Sequence, residues 1–172
     1  ILKHLGLSVS GSDSKETLVT EGLRRSGIPV HIGQKTVGFG DADLIIYSTA
    51  IGKDHLELKE ARRLGRKVHH RAEVLASLLN HAETSIGVLG THGKTTTSAM
   101  VSHVLSQIGA NPTCFVGSDM LNYDTNIVAG GRDYWVSEVD ESDSSHEFYA
   151  PHYSIITNLE PEHLDHYGTW EN

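Results

Sequence analysis

The chain has 172 residues, room for one ordinary domain or two small ones, and its 38% apolar and 21% charged content suits a globular protein with a buried core. A formal charge of −8, from 14 basic and 22 acidic side chains, argues against a nucleic-acid surface, because phosphate backbones require a basic footprint. Cys114 is the only cysteine, which excludes an intramolecular disulfide framework and a cysteine zinc site and fits a reducing compartment; no apolar run is long enough to span a bilayer.

In chain order, "ILKHLGL" reads as the last turn of an apolar-faced helix closed by Gly6. "LSVS" reads as a strand, followed by a helix from about Lys15 to Ser26 and a short strand "PVHI". "DLIIYS" reads as a buried strand, "DHLELKEARRLG" as a helix stopped by Gly65, "KVHH" as a strand and "RAEVLASLLN" as a helix with apolar residues at three- and four-residue spacing. The polar "NHAET" at 80–84 reads as a linker. A second set follows: strand "SIGVLG", helix "TTTSAMVSHVLSQIG", strand "TCFVG", a Gly- and Asn-rich passage through Gly131, then strands "YWVSEV" and "YSIITNL". Strands alternating with helices predict a parallel α/β sheet in each of two units, 1–80 and 81–172. The first helix lacks a strand before it and "GTWEN" completes no element, so the chain is expected to be a piece of a longer protein.

Chemistry concentrates in the second unit. Gly90 and Gly93 flank Thr91 and His92, and Lys94 opens a helix with Thr95, Thr96 and Thr97. Glycines let successive backbone N–H groups converge, and a helix N-terminus adds about half a positive charge, so the loop suits a phosphate. The usual phosphate-loop spacing requires a glycine at position 88, where Val88 stands. A packing turn with a solvated lysine is the plainer reading. "EVDESD", residues 138–143, ends a strand on the edge where α/β proteins bind ligands. Glu141 or a neighbour there suits Mg²⁺, which prefers one or two carboxylates plus phosphate oxygens, or it is only a solvated turn. "TNLEPEHLDHY", residues 157–167, delivers Asn158, His163 and Asp165 to the same kind of edge. In the first unit Asp13 stands where dinucleotide folds carry an acid for a ribose, although Ser12, Asp13 and Ser14 all suit a helix N-cap. Ser48, Thr49 and Ala50 close another strand and suit a diphosphate or a tight turn equally.

"GTHGKTTT", "EVDESD" and "TNLEPEHLDHY", in this order, resemble the Mur ligase family, whose phosphate loop has a shortened Gly-Thr-x-Gly-Lys-Thr/Ser form. Further runs, "SGSD", "STAI", "RAEVLASLL" and "DESDSS", extend the resemblance along nearly the whole chain. It implies a Rossmann-like N-terminal domain for a UDP-substrate over 1–80, and part of a P-loop-type α/β ATP-binding central domain over 81–172. The implied activity is an ATP-dependent ligase joining L-alanine to the lactyl carboxylate of UDP-N-acetylmuramate through an acyl phosphate, in cytoplasmic peptidoglycan precursor synthesis. By the same resemblance, Gly90, Thr91, His92, Gly93, Lys94, Thr95 and Thr96 hold ATP, and Thr95, Glu141 and His163 hold Mg²⁺ or Mn²⁺. Lys94, His163 and Asn158 serve the reaction, and Asp13, Ser48, Thr49 and Ala50 serve the UDP part. Contacts to the amino acid are expected from a further C-terminal domain, so these residues alone are expected to be inactive. Glu162 replaces the Asp usual before the metal-site histidine. A murein-peptide recycling ligase is a related reading. A P-loop ATPase or kinase, or a nucleotide-binding module without catalysis, are readings from other classes; preference of the first unit for a UDP-sugar, NAD or neither separates them.

Overall fold

The structure, a computed structural model, describes residues 1–33, 39–52, 54–141, 144–162, 164 and 168–169. Contacts divide the chain into two units, Ile1–Arg71 and Ala72–Asn172. Helix α3 (Arg71–Asn80) therefore goes almost entirely with the second unit, whereas composition alone put the boundary after it.

In the first unit, the opening residues form a turn in which Leu5 N–H donates to the Ile1 carbonyl, and Gly6 takes φ +88° to end it. Strand β1 is Gly11–Asp13, four residues beyond the start expected from "LSVS". Its position follows its partner: β1 runs parallel to β2 (Val30–Ile32), with Gly11 opposite Val30. Helix α1 (Leu18–Arg25) starts later than expected, because its cap is Thr17 and not one of residues 12–14. Thr17 accepts from Thr20 N–H, and the Thr20 hydroxyl accepts from Thr17 N–H, a reciprocal box that satisfies two otherwise open donors. Asp13 instead accepts from Lys15 N–H in a local turn. Lys3 donates to the carbonyls of Ser26 and Gly27, placing a cation at the C-terminal end of α1.

Strand β3 (Leu44–Tyr47) pairs in parallel with β4 (Lys67–His70), and the intervening α2 (Leu56–Arg63) buries Leu58 and Ala61. β3 is half-buried to exposed, not the fully buried strand its composition suggested. Among the described residues β1–β2 and β3–β4 are separate two-stranded sheets.

The second unit carries a five-stranded sheet in the order β7-β6-β8-β5-β9. These strands are β5 (Thr84–Leu89), β6 (Thr113–Met120), β7 (Thr125–Val128), β8 (Tyr134–Glu138) and β9 (Tyr153–Ile156). β5, β6, β8 and β9 are parallel, and β7 returns antiparallel on β6. β6 begins at the expected strand "TCFVG", and its last residues and β7 lie in the Gly- and Asn-rich passage, where no strand was expected. Helix α4 (Lys94–Gln107) joins β5 to β6. The inner strands are largely buried: Val88, Cys114, Val116 and Val136 are apolar core residues, and Ser85, Thr113 and Ser137 are buried hydroxyls among them. From β5 the chain passes to one side for β6 and β8 and returns to the other for β9. That reversal makes the C-terminal edge of β5 a topological switch point, where such sheets bind ligands.

Candidate functional site

β5 ends at Leu89, and the chain turns sharply at Gly90, whose φ of +122° a side chain would rarely tolerate. A Cβ at Gly90 would also stand 2.3 Å from the Thr157 hydroxyl oxygen and 2.8 Å from the Asn158 carbonyl, so glycine lets the end of β9 press against the loop. Gly93, at φ +82°, is the N-cap of α4 and offers no side-chain acceptor to its first turn. A helix start without a side-chain acceptor is suited to an external anion.

The segment after β9 braces this loop. Asn158 Oδ1 accepts from His92 N–H at 2.9 Å, and Asn158 Nδ2 donates to the His92 carbonyl at 3.3 Å. The Thr157 hydroxyl donates to the same carbonyl at 2.6 Å. The Thr91 hydroxyl accepts from Glu160 N–H at 3.0 Å and donates to the Glu160 carbonyl at 3.2 Å.

Lys94 folds back over the loop. Its Nζ donates to the carbonyls of Gly90 at 2.6 Å and Thr91 at 3.3 Å, and pairs with Glu141 Oε1 at 2.8 Å. Its side chain is only 14% exposed and that of Glu141 26%. One residue on, the Thr95 hydroxyl donates to Glu138 Oε1 at 3.1 Å, while Glu138 Oε2 accepts from Gly117 N–H at 2.8 Å. Thr95 and exposed Thr96 also border a groove of about 390 Å³ between α4 and the end of β6, lined further by Met100, Val116, Asp119 and Met120.

The structure thus brings Gly90, Thr91, His92, Lys94, Glu141 and Asn158 into one hydrogen-bonded assembly, with Gly93, Thr96 and the Thr95–Glu138 pair beside it. Asn158, expected to serve the reaction, here engages the loop backbone. His163, Asp165, Ser142 and Asp143 lie outside the described residues. Sequence reasoning passed over Glu138, Thr157 and Glu160. Glu138 was legible only as one acid of a run, and the other two act partly through backbone contacts that residue type does not announce. Among the described residues no three His, Cys, Asp or Glu side chains gather as a metal cluster. A cation held jointly with phosphates needs only one or two carboxylates, so this donor set of Thr95, Glu138 and Glu141 fits that kind of ion.

In the first unit, Asp13 ends β1, and Ser48, Thr49 and Ala50 follow β3 in a turn closed by Ile51 N–H on the Ser48 carbonyl. Both sets stand at strand C-terminal ends, in separate sheets. The Thr49 hydroxyl lies 3.1 Å from His70 Nε2, and the His70 ring meets Tyr47 edge-on, so His70 is a further polar group at this end of β4.

Comparison with known proteins divides the chain after α3, where the contacts divide it before that helix. The Mur ligase family catalytic-domain model matches residues 1–83, and the Mur ligase middle-domain model matches residues 88–172. The chain belongs to the Mur ligase family. The first match stops just before β5 and the second begins within it. This Mur ligase chain is 45% identical over 172 residues to the UDP-N-acetylmuramate–L-alanine ligase of Carboxydothermus hydrogenoformans, covering 99% of the chain and 37% of that protein. It is 44% identical over 167 residues to the ligase of the same name from Salinispora tropica, covering 97% of the chain and 32% of that protein. The solved UDP-N-acetylmuramate–alanine ligase of Thermotoga maritima superposes with a TM-score of 0.85 at 34% identity, covering 98% of the chain and 39% of its own. The chain therefore spans about a third to two fifths of the length of these relatives. Its α/β architecture, with parallel sheets in both units, is that of the family. No helix among the described residues is long and apolar enough to cross a membrane.

Proposed function

We propose that this chain supplies the UDP-substrate and ATP-binding parts of a ligase that joins L-alanine to the lactyl carboxylate of UDP-N-acetylmuramate. Residues 1–80 would hold the UDP moiety through Asp13, Ser48, Thr49 and Ala50, and residues 81–172 would hold ATP. The observation that carries the reading is the loop between β5 and α4, with two positive-φ glycines, a mostly buried lysine, and carboxylates from the neighbouring strand end. It is supported by the names of the relatives, which are 43–45% identical along the chain.

In this reading the substrate carboxylate attacks the γ-phosphorus of ATP, ADP departs, and an acyl phosphate forms. The alanine amine then attacks the acyl carbon and phosphate leaves. The first step brings anions together, so positive charge must be placed in advance. Backbone N–H groups at the start of α4, from Gly93 to Thr95, would bind the phosphates, since those of Thr91 and His92 donate to Asn158. The Lys94 ammonium would turn from Glu141 toward them and stay beside the charge that develops on the transferring group. Thr95 and Glu141, with His163 by family resemblance, would hold Mg²⁺ or Mn²⁺. When bound, such an ion would supply positive charge against the phosphates. Asn158 would hold the His92 peptide, and with it the turn that leads into α4, in place. ATP and a UDP-sugar as substrates place the reaction in the cytoplasm.

The test is phosphate release by the full-length protein with ATP, UDP-N-acetylmuramate and L-alanine, omitting each in turn. Release that needs all three is expected. Release indifferent to both UDP-N-acetylmuramate and L-alanine would mean an ATPase, and a first unit that binds NAD instead of a UDP-sugar would mean a dinucleotide module.

A further inference from the structure

Asp13 at the end of β1 and the Ser48–Ala50 turn after β3 would serve one UDP, yet β1 and β3 stand in separate sheets among the described residues. A side-chain hydrogen bond spans the gap. The Ser12 hydroxyl, on the residue before Asp13, donates to Glu57 Oε2 at 2.8 Å. Glu57 lies in the first turn of α2, with its side chain only 20% exposed. The path from β3 to this carboxylate is short and turned: Ile51 N–H donates to the Ser48 carbonyl, and His55 N–H to the Gly52 carbonyl. Glu57 is thus tied to the Ser48–Ala50 turn through the backbone and to β1 through Ser12.

We propose that Glu57 is a positioning residue for the ribose of UDP: by holding Ser12 it sets the end of β1, and so the Asp13 carboxylate, against the Ser48–Ala50 turn. The inference rests on the reading that the first unit binds UDP. A ligand that contacts two sheets loses affinity when their ends are free to shift, because binding must then order them. A carboxylate in the first turn of a helix also has a simpler use, since the helix dipole favours its charge there. Length and charge separate the two uses. Glu57→Asp keeps the charge in the first turn but is one methylene short of Ser12. Glu57→Gln keeps the length and an oxygen that accepts from the Ser12 hydroxyl, and removes the charge.

The experiment measures the affinity of the full-length protein for UDP and for 2′-deoxy-UDP by calorimetric titration, beside ATP affinity and melting temperature. The two ligands differ only in the ribose hydroxyl that an acid so placed binds, so their affinity ratio reports where Asp13 stands. The unaltered protein is expected to prefer UDP about tenfold, the scale of one hydrogen bond to a charged group. Glu57→Asp and Ser12→Ala are each expected to weaken UDP about fivefold and to bring the preference down to about twofold, with ATP affinity unchanged. Glu57→Gln is expected to keep UDP affinity and the preference within about twofold of the unaltered protein. In a Ser12→Ala background Glu57→Asp should add nothing, because the group it holds is gone. A loss in Glu57→Gln with Glu57→Asp normal would leave Glu57 only its charge at the helix start, and an unchanged preference in Ser12→Ala would leave it no part in placing Asp13; either overturns the assignment alone. An unaltered protein that does not bind UDP, or binds the 2′-deoxy form equally well, would overturn both the assignment and the reading of Asp13 as a UDP contact.

Discussion

Lys94 Nζ lies 2.8 Å from Glu141 Oε1, so the cation that opens α4 is held by a carboxylate beyond the end of β8. The carbonyls of Gly90 and Thr91 complete its shell. The ammonium is thus kept at the loop before any phosphate arrives, and the same carboxylate that holds it is a candidate metal ligand.

Lys94→Ala should lower turnover of the full-length enzyme by roughly 10²–10³, the scale of losing one preorganised charged contact in a water-poor site. Glu141→Ala should act differently. Its main effect is on the use of Mg²⁺–ATP, so part of the loss should return at high Mg²⁺, whereas Lys94→Ala should not be rescued. Steady-state phosphate release across a Mg²⁺ titration separates the two. An unchanged Mg²⁺ dependence in Glu141→Ala would leave that residue only the lysine to hold.

Asn158 offers a sharper test of the loop. Its amide meets the His92 peptide as a complementary pair, accepting at one end and donating at the other. Asn158→Asp keeps the acceptor but turns a carboxylate oxygen toward the His92 carbonyl. It should therefore weaken ATP binding at least as much as Asn158→Ala, by about tenfold, the equivalent of a typical net hydrogen bond or somewhat more. Calorimetric titration with ATP measures both. If Asn158→Asp binds ATP normally, the brace is not what shapes the loop.

What could be read from the residues was decided by how local the determining contact is. The loop was legible because Gly90, Gly93 and Lys94 do their work within five positions of one another. The cap of α1 was misplaced because Ser12, Asp13 and Ser14 all suit the task, and only the Thr17–Thr20 pair shows which residue does it. The β6–β7 hairpin was hidden because "TNIV" follows a polar turn with Asp124 at φ +50°, and its pairing with Cys114 and Phe115 is a nonlocal fact. Glu138 was hidden for a related reason: its partners, Thr95 and Gly117, are 43 and 21 residues away.

Gly90→Ala should damage the fold and the loop together. The substitution imposes a side chain at φ +122°, at a cost of about 1–3 kcal/mol, and drives its Cβ into Thr157 and the backbone of Asn158. Chemical denaturation should show reduced stability of at least that size. Gly93→Ala, also at positive φ but with its nearest atoms 4.0 Å away, should lose less. Equal losses at the two positions would mean that backbone conformation alone, and not the approach of β9, sets the requirement.

Cys114 supplies a pH test away from the site. It lies in β6 at 0% exposure, and burial pushes its thiol above the ordinary value near 9, partly offset by a hydrogen bond with Ser102. Between the unfolded and folded values the native state keeps a proton that the unfolded chain gives up. Stability from this group is therefore complete below about pH 9 and is lost as pH rises through the folded value. Cys114→Ala removes the titrating group and leaves a small cavity whose cost does not depend on pH. The stability gap between the parent and Cys114→Ala should thus be constant from pH 6 to 8 and narrow above about pH 9. Urea unfolding of both proteins across that range measures it, and the comparison cancels the tyrosines and lysines that titrate in the same window. A gap that widens above pH 9 would mean that the thiolate is favoured in the folded protein, which the burial of this strand does not allow.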